Sequence, residues 1–232
     1  MVQSVLRGEI ADHCWGAQAA AGMLELRLGS LKSHLEGAPA PAGLEALNNQ
    51  TSRHLTPQDG SDEMRQIVDL KIGIWEPVAT ILESCTIVGR TLFPSGAEPC
   101  VCCGRTASEP SGYRQERAGL VLEGVDLPDL PNLRSHSVRN VLAHVEDHAM
   151  DWARRALSDS PSANLVGWMW GSGPSTEPVF RYLDIDTWEF RAGGRSCDLR
   201  GLVEETKVVS SLIPVHMEIN IVRKTQPSVG SA

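Results

Sequence analysis

Apolar residues recur every three or four positions over residues 2–36. Val5, Leu6, Ile10, Cys14, Ala17, Ala21, Leu24, Leu28, Leu31 and Leu35 fall on one stripe, so the spacing predicts a long amphipathic helix. Gly37 and the run Ala38-Pro39-Ala40-Pro41 end it. Residues 37–60, rich in Pro, Asn, Gln, Gly and Ser, read as a long loop with one helical turn near 44–48. Ser61 followed by Asp62 and Glu63 has the character of a helix start, with a capping hydroxyl and acids that suit the positive end of the dipole. The second helix is expected to reach about Leu92. Its core side is Met64, Ile67, Val68, Ile74 or Trp75, Val78, Ile81, Leu82, Cys85 and Val88. Pro77 sits inside it and predicts a kink, or a split after Trp75.

Phe93-Pro94-Ser95-Gly96 closes that helix, and residues 94–111 read as an ordered loop. Residues 115–123 form a short helical candidate, and 125–131 a proline-punctuated turn with hydrophobic anchors. A further helix is expected from near Ser135 to about Leu157, where residues 158–162 break it. The pattern then changes. Residues 166–170 are strand-like, and 179–183 should pair with 187–191 across Asp184-Ile185-Asp186 as a hairpin. Ala192-Gly193-Gly194-Arg195 is a second turn, and 197–199 leads into a last helix to about Leu212 with Leu202, Val203, Val208, Val209 and Leu212 apolar. Residues 215–221 alternate with period two, as an edge strand would, and a flexible tail follows. The expected architecture is mainly α: one helical domain over 1–212, interrupted by the loops at 37–60 and 94–111 and a β-hairpin element at 166–198, with 213–232 as edge strand and tail.

With 232 residues and 41% hydrophobic content the chain can bury one sizeable core. Its formal net charge of −8 argues against a large nonspecific nucleic-acid footprint, although a small locally basic RNA site remains compatible with it. No secretory leader and no apolar run near the ~18 residues of a membrane span is visible, so a cytoplasmic protein with no membrane partner is expected. Six cysteines are too few for a disulfide scaffold. Three of them cluster as Cys100-Val101-Cys102-Cys103-Gly104, and Cys100-x-x-Cys103-Gly has the form of one zinc knuckle. A structural zinc needs four ligands and no second pair is spaced for it, so reduced loop thiols or a partial disulfide stand beside the zinc reading, and no other cofactor is expected.

The chemistry concentrates on the helix after Ser135. At 100° per residue, Val138, Val141, Leu142, Val145, Ala149, Trp152 and Ala156 lie within roughly 60° of one direction. Asn140, His144, Asp147, His148 and Asp151 lie on the opposite and left-hand sides, with Arg139 alone on the right. A metal-free ribonuclease needs a near-neutral base or acid and a fixed positive charge on the phosphate. His144 and Arg139 supply these, with Asn140 one turn away to hold a ring N–H and His148, Asp147 and Asp151 beside them as substrate contacts. Arg139 and His144 stand about 140° apart on an ideal helix, so they converge only if Arg139 curls round the helix or a second copy contributes. Two other readings stay open. These are solvated polar residues of a surface helix, or His144, His148, Asp147 and Asp151 form a metal shell, although the HExxH pattern is absent.

Arg139-Asn140-x-x-x-His144 resembles the Arg-polar-x-x-x-His motif of the HEPN superfamily. The resemblance extends to bacterial HEPN-like proteins through two further anchors. One is a helix-ending turn, here Thr91-Leu92-Phe93-Pro94; the other is a hairpin and short helix, here residues 182–191 followed by 197–205. Together the anchors cover about residues 60–210. The resemblance implies an up-and-down helical bundle, homodimerisation, and metal-independent endoribonuclease activity in a defence or toxin-type role, leaving a 2′,3′-cyclic phosphate, with Arg139 and His144 catalytic and Asn140 accessory. It equally covers non-catalytic binding or scaffold proteins. Toxin-type members controlled by an antitoxin carry Tyr two residues after the His; here Glu146 stands there, so control through that residue is not implied, and any cognate antitoxin or defence partner is unspecified.

Overall fold

The structure is a computed structural model that describes residues 1–36, 62–94, 111–135, 164–167, 181–192 and 195–214. Among these residues the elements are α1 (Val2–Glu36), α2 (Asp62–Leu92), α3 (Ser111–Leu122), α4 (Pro131–Arg134), β1 (Asn164–Gly167), β2 (Arg181–Asp184), β3 (Glu189–Ala192), β4 (Arg195–Asp198) and α5 (Leu199–Leu212). The fold is mainly α.

α1 and α2 run antiparallel: Gly16 lies against Ser84 near one end of the pair, and Arg27 against Gly73 and Glu76 near the other. Ile10, Cys14, Ala17, Leu24, Leu28 and Leu31 of α1 meet Ile74, Val78, Ile81, Leu82, Cys85 and Val88 of α2 in one apolar core. Leu35, Met64, Ile67 and Val68 lie outside the side chains described; among the rest these are the stripes that the periodicity predicts, with one exception. Val5 is 57% exposed, because it lies on the far side of α1 from the residues that face the bundle. α2 continues through Pro77 without a split. Proline removes the N–H that would reach the Gly73 carbonyl, but burial of Ile74, Pro77 and Val78 against α1 outweighs that loss. The stretch Ile72–Leu92 is long and apolar enough to cross a membrane, yet over half of it is buried in the core, as in a central helix.

α3 begins four residues earlier than its apolar pattern predicts, at Ser111. α1 holds its C-terminal carbonyls: Gln3 donates to Leu120 O at 3.0 Å, and Arg7 Nε to Val121 O at 3.0 Å, a cation placed where a helix dipole favours one. Gly124, at φ +72°, then turns the chain out of the helix. The predicted turn at 125–131 ends in α4, a single helical turn opened by Pro131.

The four strands lie in the order β1-β2-β3-β4, with β1 parallel to β2 and the other pairings antiparallel. Both hairpin strands begin two residues later than predicted and end one residue later. The turn is Ile185 to Thr187, because Asp184 Oδ1 accepts from Asp186 N, Thr187 N and Thr187 Oγ1 and so folds the chain over itself. β4 was not expected; the predicted second turn sits where Ala192 pairs with Arg195. Leu183, Phe190 and Trp188 face the helices, and Phe190 meets Trp75 of α2 edge-on at 6.4 Å. Lys32 of α1 pairs with Asp186 in the hairpin turn. α5 runs over the predicted residues, and Gln18 of α1 donates to its Ser210 at 3.2 Å.

Candidate functional site

Arg139, Asn140, His144, Asp147, His148 and Asp151 lie outside the described residues, as do Cys100, Cys102 and Cys103. The same holds for the expected helix at 135–157 beyond Ser135, the residues Trp168–Trp170 and the edge strand at 215–221. What the structure builds is the segment that delivers the chain to Arg139.

That segment is α4. It lies between α2 and α5, with Leu133 buried in the core. One turn of helix has little intrinsic stability, so something must satisfy its free amides. Glu205 of α5 does this with both oxygens: Oε1 accepts from Asn132 N at 2.9 Å and from Asn132 Nδ2 at 2.8 Å, and Oε2 accepts from Leu133 N at 2.7 Å. Glu205 is buried, and these three donors compensate a carboxylate that could not otherwise leave water. Sequence reasoning missed it. The available signal was its place one turn from Leu202 and Val209 on the apolar side of α5, where a solvated glutamate does not belong.

The register between α4 and α5 is set by close approach. A Cβ on Gly201 would lie 2.6 Å from Asn132 Nδ2 and 2.7 Å from Asp198 Oδ2, so any larger residue would push aside two side chains that are tied into hydrogen bonds. Asp198 caps α5 by accepting from Gly201 N at 3.0 Å. On the other side, the Arg134 guanidinium stands 5.0 Å over the Phe93 ring and pairs with Asp129 at 3.3 Å. Ser135 leaves α4 in an extended conformation, four residues before Arg139.

Upstream of α5, Trp188 adopts φ +61°, a backbone region a bulky side chain seldom occupies. The conformation is held at both ends: Trp188 N donates to Asp184 O at 2.9 Å, and Leu199 N donates to Trp188 O at 3.2 Å. The ring is buried, with the Arg200 guanidinium 5.0 Å above it. On the opposite sheet face, burial and the neighbouring Asp184 carboxylate, to which Tyr182 donates at 3.3 Å, push the Tyr182 hydroxyl well above its ordinary range.

Three thiols among the described residues are free: Cys14, Cys85 and Cys197. Burial pushes Cys14 up to about 12, and burial with the neighbouring Asp198 and Glu189 carboxylates pushes Cys197 up to about 12. Burial raises Cys85 further, aided by Cys14, Cys197 and Glu205 around it. All three stay protonated at neutral pH and are packing residues, not nucleophiles. Among the described residues no group of three His, Cys, Asp or Glu side chains is placed to hold a metal.

The class these elements define is a mainly α protein in which a small mixed sheet braces the last helix. No family model matches the chain, and neither a curated protein nor a solved structure does.

Proposed function

We propose that the protein is a HEPN-type, metal-independent endoribonuclease acting on RNA as a homodimer, in a defence or toxin-type role. One observation carries the reading. Two of the three sequence anchors, the turn at Phe93-Pro94 and the hairpin-helix unit ending in Glu205, meet on α4 immediately upstream of the third, the Arg139–His144 motif. Anchors that are remote in sequence and converge at the entrance to a motif fit a scaffold built to hold that motif.

The chemistry follows from the residue types. His144 takes the proton from a ribose 2′-hydroxyl, whose oxygen then forms a bond to the adjacent phosphorus as the bond from phosphorus to the 5′-oxygen breaks. The leaving 5′-oxygen receives a proton from a second imidazole, that of His144 of the partner subunit, and the product carries a 2′,3′-cyclic phosphate. Arg139 holds the phosphate oxygens as charge builds on them, and Asn140 orients the ring. The separation of about 140° between Arg139 and His144 on one helix is what makes a second copy part of the site. His148, Asp147 and Asp151 border the same helix side as His144 and contact the substrate.

The test is incubation of the pure full-length protein with mixed RNA in EDTA, beside Arg139→Ala and His144→Ala. Cleavage that survives EDTA, yields cyclic-phosphate ends and is lost in both variants is the expected result. Absence of cleavage turns the assignment to a non-catalytic binding protein, and cleavage that EDTA abolishes turns it to a His/Asp metalloenzyme.

A further inference from the structure

α3 begins with a cation where helices favour an anion. Its first turn, Ser111 to Arg114, holds no acidic residue. The amides of a first turn have no acceptor inside the helix and carry the positive end of its dipole. Arg114 adds a full charge to that end. Side chains on a helix lean back toward its N-terminus, which directs the guanidinium at this same turn. Arg117 follows one turn later on the same side.

The surrounding elements do not neutralise this charge. Arg114 keeps only 9% of its surface, and its Nε and Nη2 are shut off from water without a hydrogen-bond partner. Among the described residues no carboxylate pairs with it. Glu116, the nearest acid along α3, is exposed and stands about 200° round the axis. A buried charge without a partner is costly. A lysine or a glutamate escapes that cost by changing its protonation state, but an arginine stays charged across the whole working range of pH. The guanidinium therefore calls for a counter-ion from outside α1, α2 and α3.

We propose that the start of α3 is a binding site for a phosphate group, formed by the Arg114 guanidinium and the amides of the first turn. Nη1 is not shut off as Nε and Nη2 are, so one edge of the fork is open to a ligand. A planar fork matches phosphate oxygens two at a time, and the amides at a helix start receive a further one. A phosphate dianion suits the place better than a carboxylate, because its second charge answers Arg117 as well as Arg114. Inorganic phosphate carries such a group, and so does the 5′ end of an RNA strand. The inference rests on α3 and stands or falls independently of ribonuclease activity.

Isothermal titration of the full-length protein with inorganic phosphate tests it, beside Arg114→Met, which keeps the stem and removes the charge. The wild type should bind one phosphate per chain, and Arg114→Met should bind it about tenfold more weakly or not at all. Arg90→Met, which removes an exposed cation from the last turn of α2, should bind as the wild type does. Melting is the second readout. In phosphate-free buffer Arg114→Met should melt at or above the wild-type temperature, and added phosphate should raise the melting temperature of the wild type but not of the variant. Displacement of the bound phosphate by a 5′-phosphorylated RNA, but not by the same RNA with a 5′-hydroxyl, assigns the group to an RNA end; displacement by neither assigns it to free phosphate. Lack of saturable binding by the wild type up to about 10 mM overturns the proposal. So does equal binding by Arg114→Met. So does a variant that melts well below the wild type without phosphate, since the chain itself would then balance Arg114.

Discussion

The centre of the contact between α1 and α2 is made by side chains with no polar group to satisfy. Leu24, Leu31, Ile74 and Ile81 are fully buried and need only be the right size. Where α4 meets α5, the contact is made by a carboxylate, two backbone amides and an asparagine at 2.7 to 2.9 Å, over a glycine whose Cβ would press on two hydrogen-bonded side chains. The first region tolerates adjustment because dispersion and hydrophobic burial are non-directional. The second does not, because a misplaced donor leaves a buried charge uncompensated. The region that precedes the motif is thus the more exacting of the two, although it is much the smaller.

The largest loss should come from the apolar pair. Leu24→Ala removes a fully buried side chain from the centre of the core, and about 3–4 kcal/mol of stability in urea unfolding is expected. A loss below ~1 kcal/mol would mean that the α1–α2 contact is looser than its burial indicates. The glycines sharpen the contrast. Gly201→Ala forces a Cβ onto Asn132 and Asp198 and should cost about 2–3 kcal/mol, whereas Gly73→Ala meets only the mobile end of Arg27 and should change stability by less than ~1 kcal/mol. Equal effects at the two positions would erase the distinction drawn here.

Glu205→Gln keeps the shape but turns a donor toward an amide and removes the charge. A cost of about 2 kcal/mol is expected. Protection of the Asn132 and Leu133 amides in hydrogen exchange should fall with it, and unchanged protection would show that α4 is held by other means. The smallest effect is the alkaline one. The Cys14 thiol, about 12 in the folded protein against 9.0 for a free thiol, binds its proton more tightly when folded. Its contribution is complete below pH ~9 and is lost as pH rises toward 12, since the unfolded chain ionises first. Stability should therefore decline by about 1 kcal/mol between pH 7 and pH 10 on account of Cys14, and Cys14→Ala should flatten that decline. A wild-type curve with the same slope as the variant would count against the assignment.

Periodicity made α1, α2 and α5 legible to within a residue or two because each helix owes its stability to one apolar face, and a face repeats along the chain. It mis-sorted Val5, which shares the apolarity of the core stripe but lies on the exposed side of α1. β4 carried no such signal: Arg195-Ser196-Cys197-Asp198 is short and polar, and is a strand because β3 lies beside it. The turn of the hairpin moved because the Asp184 carboxylate, not the alternation of apolar residues, chooses where the backbone folds. The motif residues themselves fall outside the described part of the molecule, so the site stands on sequence and on the scaffold that leads to it.

By itself the sequence determined α1, α2 and α5, their lengths and the faces they bury, since these follow from local spacing and from the cost of exposing apolar surface. Only the tertiary structure decided that Glu205 is a buried cap rather than a surface charge, that Gly201 packs against Asn132, and that Phe93 and Glu205 flank one turn of helix. Those facts are relations between residues 41 to 73 positions apart, and no local pattern encodes a distance between chain segments.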